Sequence, residues 1–326
     1  MGFLNKIGKI AVAVVLLASC KMVFLVAQEG DYQKGLSYYK QQQYQKAIEE
    51  FEKIVEAHSD YEGGFRILGD SYLKVKDYDH AAEAFQNAVR LKGDNYTSHY
   101  GLALAYFNAG RYAETISALQ EGESYARSPR HQYELYRTRG SAYYNLRDFE
   151  KAIADLGKAM ALQRGNPKDI LQLGISYYHV ENYSEAERLL RQAVALDPSA
   201  LAATEYLARL RYREAIEAIE TQDYPQAVEL LSDYVDQNPT DGEASFNLAL
   251  AQLFAGNLSA AEREFAKTTR LMSENWEAYD RLGYIDELQG DYPGSLENYQ
   301  KAHDLNPDTS IKDSIERIRE RIRRSE

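Results

Sequence analysis

The stretch LGISYYHVENYSEAERLLRQAVALDP, from Leu173 to Pro198, decides the fold of this chain. It predicts two amphipathic helices joined by a short turn, because apolar residues recur every three or four positions in each half. Nearly the same rhythm begins at Leu68 (LGDSYLKVKDYDHAAEAFQNAVRL) and at Leu282 (LGYIDELQGDYPGSLENYQKAHDLNP). The same helix pair is therefore predicted several times along the chain, which indicates an internal repeat.

The repeat is measured from the small residue that opens the second helix of each pair, called the opener below. The openers are Ala47, Ala81, Thr115, Ala152, Ala186, Ala227, Ala261 and Ser295. Successive openers are 34, 34, 37, 34, 41, 34 and 34 residues apart. Every opener has a small residue twelve positions before it and a large apolar or aromatic residue four positions after it. Two closely packed helices require this alternation of small and large side chains.

The pattern resembles the tetratricopeptide repeat (TPR) family, whose period is 34 residues. The resemblance covers about residues 28 to 308 and implies an all-α, right-handed superhelical solenoid of about eight helix-turn-helix units. We expect units 1–5 in residues 28–198 and units 6–8 in residues 199–308. Residues 309–326 are predicted to form a capping helix, because four isoleucines at helical spacing oppose a charged face. They are Ile311, Ile315, Ile318 and Ile322.

Two intervals depart from 34 residues. The interval of 37 falls at ARSPRH, where Pro129 is predicted to end a helix and three extra residues to lengthen a loop. The interval of 41 falls between Ser199 and Asp223, a segment without glycine or proline. Its seven extra residues equal about two helical turns, so we expect one elongated helix to begin unit 6.

The TPR resemblance also implies a binding surface. In that family the first helix of each unit lines a concave groove through its second, fifth, ninth and twelfth positions. The residues expected in the groove here are Tyr32, Tyr39, Arg66, Asp70, Tyr100, Phe107, Arg137, Tyr144, Tyr178, Tyr212, Phe246, Asp280 and Tyr284.

Tyrosine dominates these positions and favours a groove that binds a protein or peptide. Its ring is rigid and apolar, it carries a hydroxyl, and it loses little entropy on binding. In the pairs at 38–39, 143–144 and 177–178 we expect the first ring to pack in the core and the second to face the groove. The alternative is that these rings only fill gaps between helices.

One groove chemistry of the family is testable from the sequence. Chaperone-binding members hold a peptide's terminal carboxylate with lysine, asparagine and arginine at set positions of three successive units. No three successive units of this chain supply that set, and unit 2 offers Arg66 and Asp70 at two of the positions. The sequence therefore argues against a chaperone-tail adaptor.

Residues 1–27 have the pattern of an export signal. Lys6 and Lys9 precede an apolar run, and the segment contains no acidic residue. Residues 17–20 (LASC) resemble the lipobox of bacterial lipoproteins, which predicts lipidation of Cys20, the only cysteine. Cleavage after Ala27 and an uncleaved anchor over residues 10–27 are the alternatives. All three place the rest of the chain at or beyond a membrane, so we expect an exported protein of the bacterial cell envelope, on the periplasmic side.

Composition excludes several function classes. The net charge of −12 argues against nucleic acid as a partner, because phosphates require a basic surface. The six histidines are scattered without metal-ligand spacing, and no phosphate loop, dinucleotide fingerprint or serine elbow occurs. We therefore expect no enzyme activity, no metal and no cofactor.

These patterns together predict a non-catalytic scaffold of the cell envelope. It would bind a partner protein or peptide in the tyrosine-rich groove and assist assembly of an envelope or secretion complex. The rival hypothesis is a carbohydrate-binding or polysaccharide-export module, because tyrosine rings also stack on sugars.

Overall fold

The computed structural model describes residues 31–163 and 165–325. Within these ranges the chain forms seventeen α-helices and one 3₁₀ helix, without a strand, so the expected all-α repeat fold is confirmed. The helices are α1 (31–40), α2 (Tyr44–Ala57), α3 (Glu62–Lys74), α4 (Tyr78–Leu91), α5 (Tyr96–Asn108), α6 (Tyr112–Gly122), the 3₁₀ helix (Glu123–Tyr125), α7 (Pro129–Asn145), α8 (Phe149–Leu162), α9 (Pro167–His179), α10 (Tyr183–Leu196), α11 (Leu201–Glu220), α12 (Tyr224–Gln237), α13 (Gly242–Phe254), α14 (Leu258–Leu271), α15 (Trp276–Gln289), α16 (Tyr292–Leu305) and α17 (Thr309–Ser325).

The chain divides into two compact units, Met1–Pro198 and Ser199–Glu326. The described part of the first unit contains five helix pairs, α1 to α10. The second unit contains three pairs, α11 to α16, and then α17. Helix α11 is 20 residues long and lies in the segment with the 41-residue interval. Helix α17 packs on α16 through three buried isoleucines, Ile311, Ile315 and Ile318.

The turn inside each pair has the same backbone conformation in all eight repeats. The residue five positions before the opener lies in the left-handed region, with φ between 61° and 83°. Glycine occupies this position in three repeats, and a residue with a side chain occupies it in five. These residues are Gln42, Lys76, Gly110, Arg147, Glu181, Gln222, Gly256 and Gly290. The conserved geometry reverses the chain in a few residues, which sets the second helix against the first.

The residue after this turn begins the second helix as its N-cap. In five repeats an aspartate or asparagine there accepts a hydrogen bond from a backbone N–H of the first helical turn. They are Asp77, Asp148, Asn182, Asp223 and Asp291. The chain thus carries its own start signal for most of the second helices.

The packing expected from small and large residues is confirmed. Every opener is fully buried, and so is every large residue four positions after it. A Cβ atom added to Gly69 would lie 2.8 Å from the Phe85 ring, and one added to Gly283 would lie 2.9 Å from the Tyr299 ring. The two helices of a pair therefore approach too closely for a larger residue at these positions.

The expectation for the 37-residue interval is wrong. Pro129 does not end a helix but lies in the first turn of α7, with Ser128 as the N-cap. Proline fits there because its missing N–H would have no partner in the first turn. Helix α6 has 11 residues and α7 has 17, whereas α3, α5 and α9 have 13 each. The additional residues therefore lengthen the first helix of the repeat rather than a loop.

A buried ion network joins this irregular segment to the helices around it. Arg139 on α7 is 7% exposed, and its Nε donates to Asp155 Oδ2 at 2.6 Å. Its Nη1 donates to Glu123 Oε2, in the 3₁₀ helix, at 2.8 Å. The guanidinium therefore links α7, α8 and the 3₁₀ helix, and its bidentate geometry compensates for its loss of water.

The predictions for residues 1–27, including lipidation of Cys20, lie outside the described residues. Among the residues that are described, no helix combines the length and the apolar character needed to cross a bilayer.

Candidate binding groove

The first helices of the repeats line the inner side of the first unit. Helix α3 contacts α5, α5 contacts α7, and α7 contacts α9. No comparable contact joins α4, α6, α8 and α10, the described second helices of the same repeats. Helices on the inside of a curved stack approach one another more closely than those on the outside. The first helices therefore form the concave face of this unit, as in other solenoids.

A row of aromatic rings follows this face at the twelfth position of the first helices. Each ring packs edge-to-face on the aromatic residue that begins the second helix of the same repeat, at centroid distances of 5.4 to 6.2 Å. The four pairs are Tyr39 with Tyr44, Phe107 with Tyr112, Tyr144 with Phe149, and Tyr178 with Tyr183. All eight rings are half-buried, so each is held in place and retains an accessible part.

Sequence reasoning missed the supporting half of this aromatic row. An aromatic residue stands three positions before the opener in seven of the eight repeats, a signal visible in the sequence. These residues are Tyr44, Tyr78, Tyr112, Phe149, Tyr183, Tyr224 and Tyr292. Because they begin the second helices, they fix the rings at the twelfth position of the first helices.

The fifth-position rings are turned partly toward the helix pairs. Tyr32 packs on Phe51 at 5.7 Å, and Tyr100 stacks on Tyr96 at 5.8 Å. In the second unit two further rings behave similarly and are also half-buried. Tyr212 packs on Tyr234 at 4.9 Å, and Phe246 packs on Phe265 at 5.7 Å. These four residues contribute to helix packing as well as to the inner surface.

The expectation that the first tyrosine of each doubled pair packs in the core is wrong. Tyr38, Tyr143 and Tyr177 are all half-buried. Lys46 lies 5.6 Å from the centre of the Tyr38 ring, and Lys151 lies 5.3 Å from that of Tyr143. A ring at the edge of the helix pair attracts such a cation through its negatively polarised face. The first tyrosines therefore belong to the edge where the two helices turn.

Arg137 is already bound within the protein. Its Nε donates to Asp169 Oδ1 at 2.9 Å, and the hydroxyl of Tyr133 donates to Asp169 Oδ2 at 3.1 Å. Asp169 is only 4% exposed, so this pair joins α7 and α9 across a buried contact. Tyr100 lies near Arg137, and burial raises the pKa of the Tyr100 hydroxyl. This part of the inner face is a closed structural network.

Arg66 and Asp70 are in the opposite situation. The Arg66 Nε is buried without a hydrogen-bond partner, and the nearest ion pair, to Glu62, is 3.8 Å long. Asp70 is half-buried and makes no hydrogen bond or ion pair with any described residue. Burial raises the pKa of the Asp70 carboxyl to about 6, against the opposing effect of Arg66 and Lys74. Burial also raises the pKa of Tyr39, and Asp70 adds to that rise.

The second unit exposes apolar side chains that the sequence reasoning did not include. Tyr284, expected in the groove, is 41% exposed. Phe254 and Leu288, which were not expected there, are 54% and 52% exposed. Tyr224 stacks on Phe254 at 5.2 Å. Asp280 is half-buried, and burial raises its carboxyl pKa, while Arg281 lies 3.6 Å away and opposes the rise.

The described side chains offer no metal centre. No group of three or more histidine, aspartate, glutamate or cysteine side chains in residues 31–163 and 165–325 is placed to hold an ion. The groove presents rings, a few charges and hydroxyl groups, which suits recognition of another molecule.

Family models carry this architecture beyond the geometry. Four models described as tetratricopeptide repeat match residues 29–61, 68–130, 133–166, 171–214 and 218–282. The chain belongs to the tetratricopeptide repeat family. The matched ranges cover more than two thirds of the sequence and include parts of all eight repeats except the last one.

Two curated relatives share this repeat region. Hsp70-Hsp90 organizing protein 3 of Arabidopsis thaliana is 24% identical over 247 residues, which is 73% of this chain and 42% of that protein. DnaJ homolog subfamily C member 3 of Gallus gallus is 26% identical over 212 residues, 61% of this chain and 41% of that protein. The chain therefore spans less than half the length of the curated relatives it matches.

Two solved structures are also similar. The MamA protein aligns with 52% of this chain and 92% of its own, with 19% identity and a TM-score of 0.48. The C-terminal part of a TPR repeat-containing protein from Cytophaga hutchinsonii aligns with 87% of this chain and 99% of its own, with 16% identity and a TM-score of 0.48.

Proposed function

We propose that this TPR protein is a non-catalytic scaffold that holds a partner protein or peptide on the concave face of its first helices. The observation that supports this most is the aromatic row at Tyr39, Phe107, Tyr144 and Tyr178. Each ring is pinned edge-to-face by a neighbouring aromatic residue and remains partly accessible. A pre-ordered aromatic side chain loses little entropy on binding, which is why such residues dominate interaction hot spots.

The proposal includes a place of action. Residues 1–27 have the composition of an export signal, with a lipobox-like sequence ending at Cys20. We infer that the scaffold is attached to a membrane of the bacterial cell envelope and assists assembly of an envelope or secretion complex. Lipidation at Cys20, cleavage after Ala27 and an uncleaved anchor remain the three routes to that location.

The residues argue against one partner class that the curated relatives bring to mind. Two of the matched proteins are named for organizing Hsp70 and Hsp90. This chain lacks the lysine and asparagine set that the family uses for a terminal carboxylate, and Asp70 would repel such a group. We therefore propose a partner other than a chaperone tail.

The test is co-purification from crosslinked membranes, with partners identified by mass spectrometry. Wild type is compared with the double variant Tyr144→Ala and Tyr178→Ala. The matched control is the double variant Tyr143→Ala and Tyr177→Ala, which removes the neighbouring edge rings. Circular dichroism establishes that both variants keep the helical content of wild type.

We expect wild type and the control to retain a common protein that the groove variant loses. If all three retain the same proteins, the aromatic row is not the binding surface. If purified envelope polysaccharide binds wild type while no protein co-purifies, the carbohydrate-binding alternative replaces the scaffold, because exposed tyrosine rings also stack on sugars.

A further inference from the structure

We propose that Asp70 and Tyr39 form a subsite for a basic side chain of the partner, lysine or arginine, and that Arg66 binds the partner's backbone beside it. This inference rests on the proposed function and names the chemistry of the partner at one end of the groove. The occupant is an extended peptide segment with at least one basic residue.

The unsatisfied state of Asp70 carries the argument. The side chain lies on the inner face of α3, is half-buried, and has no hydrogen bond or ion pair with the described residues. A carboxylate withdrawn from water without a partner is costly, so natural proteins rarely retain one unless something binds it. Burial already raises its pKa to about 6, which records that cost. A cation from outside would remove it.

The surroundings of Asp70 leave space for an external cation. Arg66 and Lys74 on the same helix act on it through space, but neither lies within ion-pair distance. Tyr39 is the titratable neighbour from α1. Helix α5, which packs against α3, has the sequence YTSHYGLALAYFN and carries no carboxylate, lysine or arginine.

The charged groups of α2 and α4 near this helix are engaged with other partners. Glu52 on α2 accepts a hydrogen bond from the Tyr72 hydroxyl at 2.5 Å. His80 on α4 lies 2.8 Å from Asp77 Oδ2. None of these groups acts on Asp70. The carboxylate is thus available to a ligand from the groove side.

Tyr39 and Arg66 complete the subsite. The Tyr39 ring is held by Tyr44 at 5.6 Å, and a tyrosine face beside a carboxylate attracts an ammonium or guanidinium group. The buried Nε of Arg66 is a donor without an acceptor. A backbone carbonyl of an extended peptide is an acceptor that fits such a donor, with the basic side chain four positions along the helix, at Asp70.

The other arginine–aspartate pair of the first unit provides a comparison. Arg137 and Asp169 satisfy one another at 2.9 Å, and Tyr133 completes the carboxylate's hydrogen bonds. Arg66 and Asp70 lie on one helix, one turn apart, and remain unpaired. The open pair is the one suited to a ligand, and the closed pair is structural.

The test uses the full chain in detergent and an array of acetylated, amidated twelve-residue peptides. One central position is lysine, arginine, glutamine or glutamate, and the others are degenerate. The blocked ends exclude recognition of a terminal carboxylate. The best lysine peptide and its glutamine counterpart are then measured by fluorescence anisotropy against wild type, Asp70→Asn and the control Asp60→Asn. Asp60 is an exposed residue in the turn before α3, so its change removes the same charge outside the groove.

We expect the array to select lysine and arginine, and replacement by glutamine to weaken binding at least tenfold. Asp70→Asn should lose the same factor and should not distinguish the two peptides, whereas Asp60→Asn should match wild type. Wild type should bind the lysine peptide less tightly at pH 5 than at pH 7.5, and Asp70→Asn should show no such change. Asn at position 70 cannot ionise, which explains the difference.

Three results would overturn the subsite. They are an array without preference for basic residues, equal binding by wild type and Asp70→Asn, and an array without binding. Peptides that bind wild type and Asp70→Asn equally, but not the Tyr144→Ala and Tyr178→Ala variant, would leave the groove in place while removing the subsite. The crosslinking experiment decides the scaffold separately, because it uses the natural partner.

Discussion

Replacing Asp70 by asparagine should make the free protein more stable at neutral pH. Burial disfavours the ionised carboxylate, and no hydrogen bond or ion pair compensates for it. Asparagine has nearly the same shape and no charge. The change therefore removes an uncompensated charge without opening a cavity.

The magnitude follows from the pKa of the carboxyl. Folding raises it from 3.8 to about 6. In the folded state the proton is held more tightly, so stability is highest below the unfolded pKa and falls as pH rises through the folded pKa. The resulting penalty is about 1 kcal/mol at pH 4.5 and about 3 kcal/mol at pH 7. Asp70→Asn should recover this difference, with the gain growing over that range.

Urea unfolding at several pH values is the suitable assay. Far-UV circular dichroism and tyrosine fluorescence follow the first unit, because the only tryptophan, Trp276, lies in the second unit. The quantity of interest is the difference in free energy of unfolding between variant and wild type. Asp60→Asn is the control, since an exposed aspartate should give no pH-dependent difference.

Two results would refute this reasoning. If Asp70→Asn and wild type keep a constant difference from pH 4.5 to pH 7, the Asp70 carboxyl does not have a raised pKa. If the variant is less stable at pH 7, the carboxylate has a stabilising partner in the folded protein. Either result would also remove the main support for the basic-peptide subsite.

Further predictions concern the turn, the helix contact and the buried ion network. Lys76→Gly should raise the free energy of unfolding by up to about 1 kcal/mol, because φ is 63° there; a loss of stability in urea would contradict this. Ala186→Leu should destabilise the protein by roughly 1–3 kcal/mol, since the opener is fully buried; an unchanged urea midpoint would show spare room. Arg139→Leu should lower stability by about 3–5 kcal/mol by leaving Asp155 buried and unpaired, and Asp155→Asn added to it should restore part of the loss.

The repeat architecture was predictable because the same physical requirement recurs eight times. An opener must be small and the residue four positions later must be large, and both are visible as letters at a fixed period. The αL turn left a weaker trace, since only Gly110, Gly256 and Gly290 mark it by residue type. The five other repeats accept a strained side chain there, which no composition rule would indicate.

Local irregularities were less predictable. A proline between two helices can end one or begin the next, and Ser128 as N-cap settles the question at Pro129 only once the backbone is known. The state of the groove charges also depends on three-dimensional contacts. Arg66 and Arg137 occupy the same position in their repeats, yet only Arg137 has a buried aspartate within reach on the next first helix.

The most direct test of the scaffold is site-specific photocrosslinking in cells that naturally make the protein. A benzophenone amino acid is placed at Phe107 or Tyr178 on the inner face, and at Glu83, an exposed residue of α4, as the outer control. The account predicts that both inner positions capture the same partner protein and that Glu83 does not. Capture of that partner from Glu83 alone, or no adduct from either inner position, would contradict binding on the concave face.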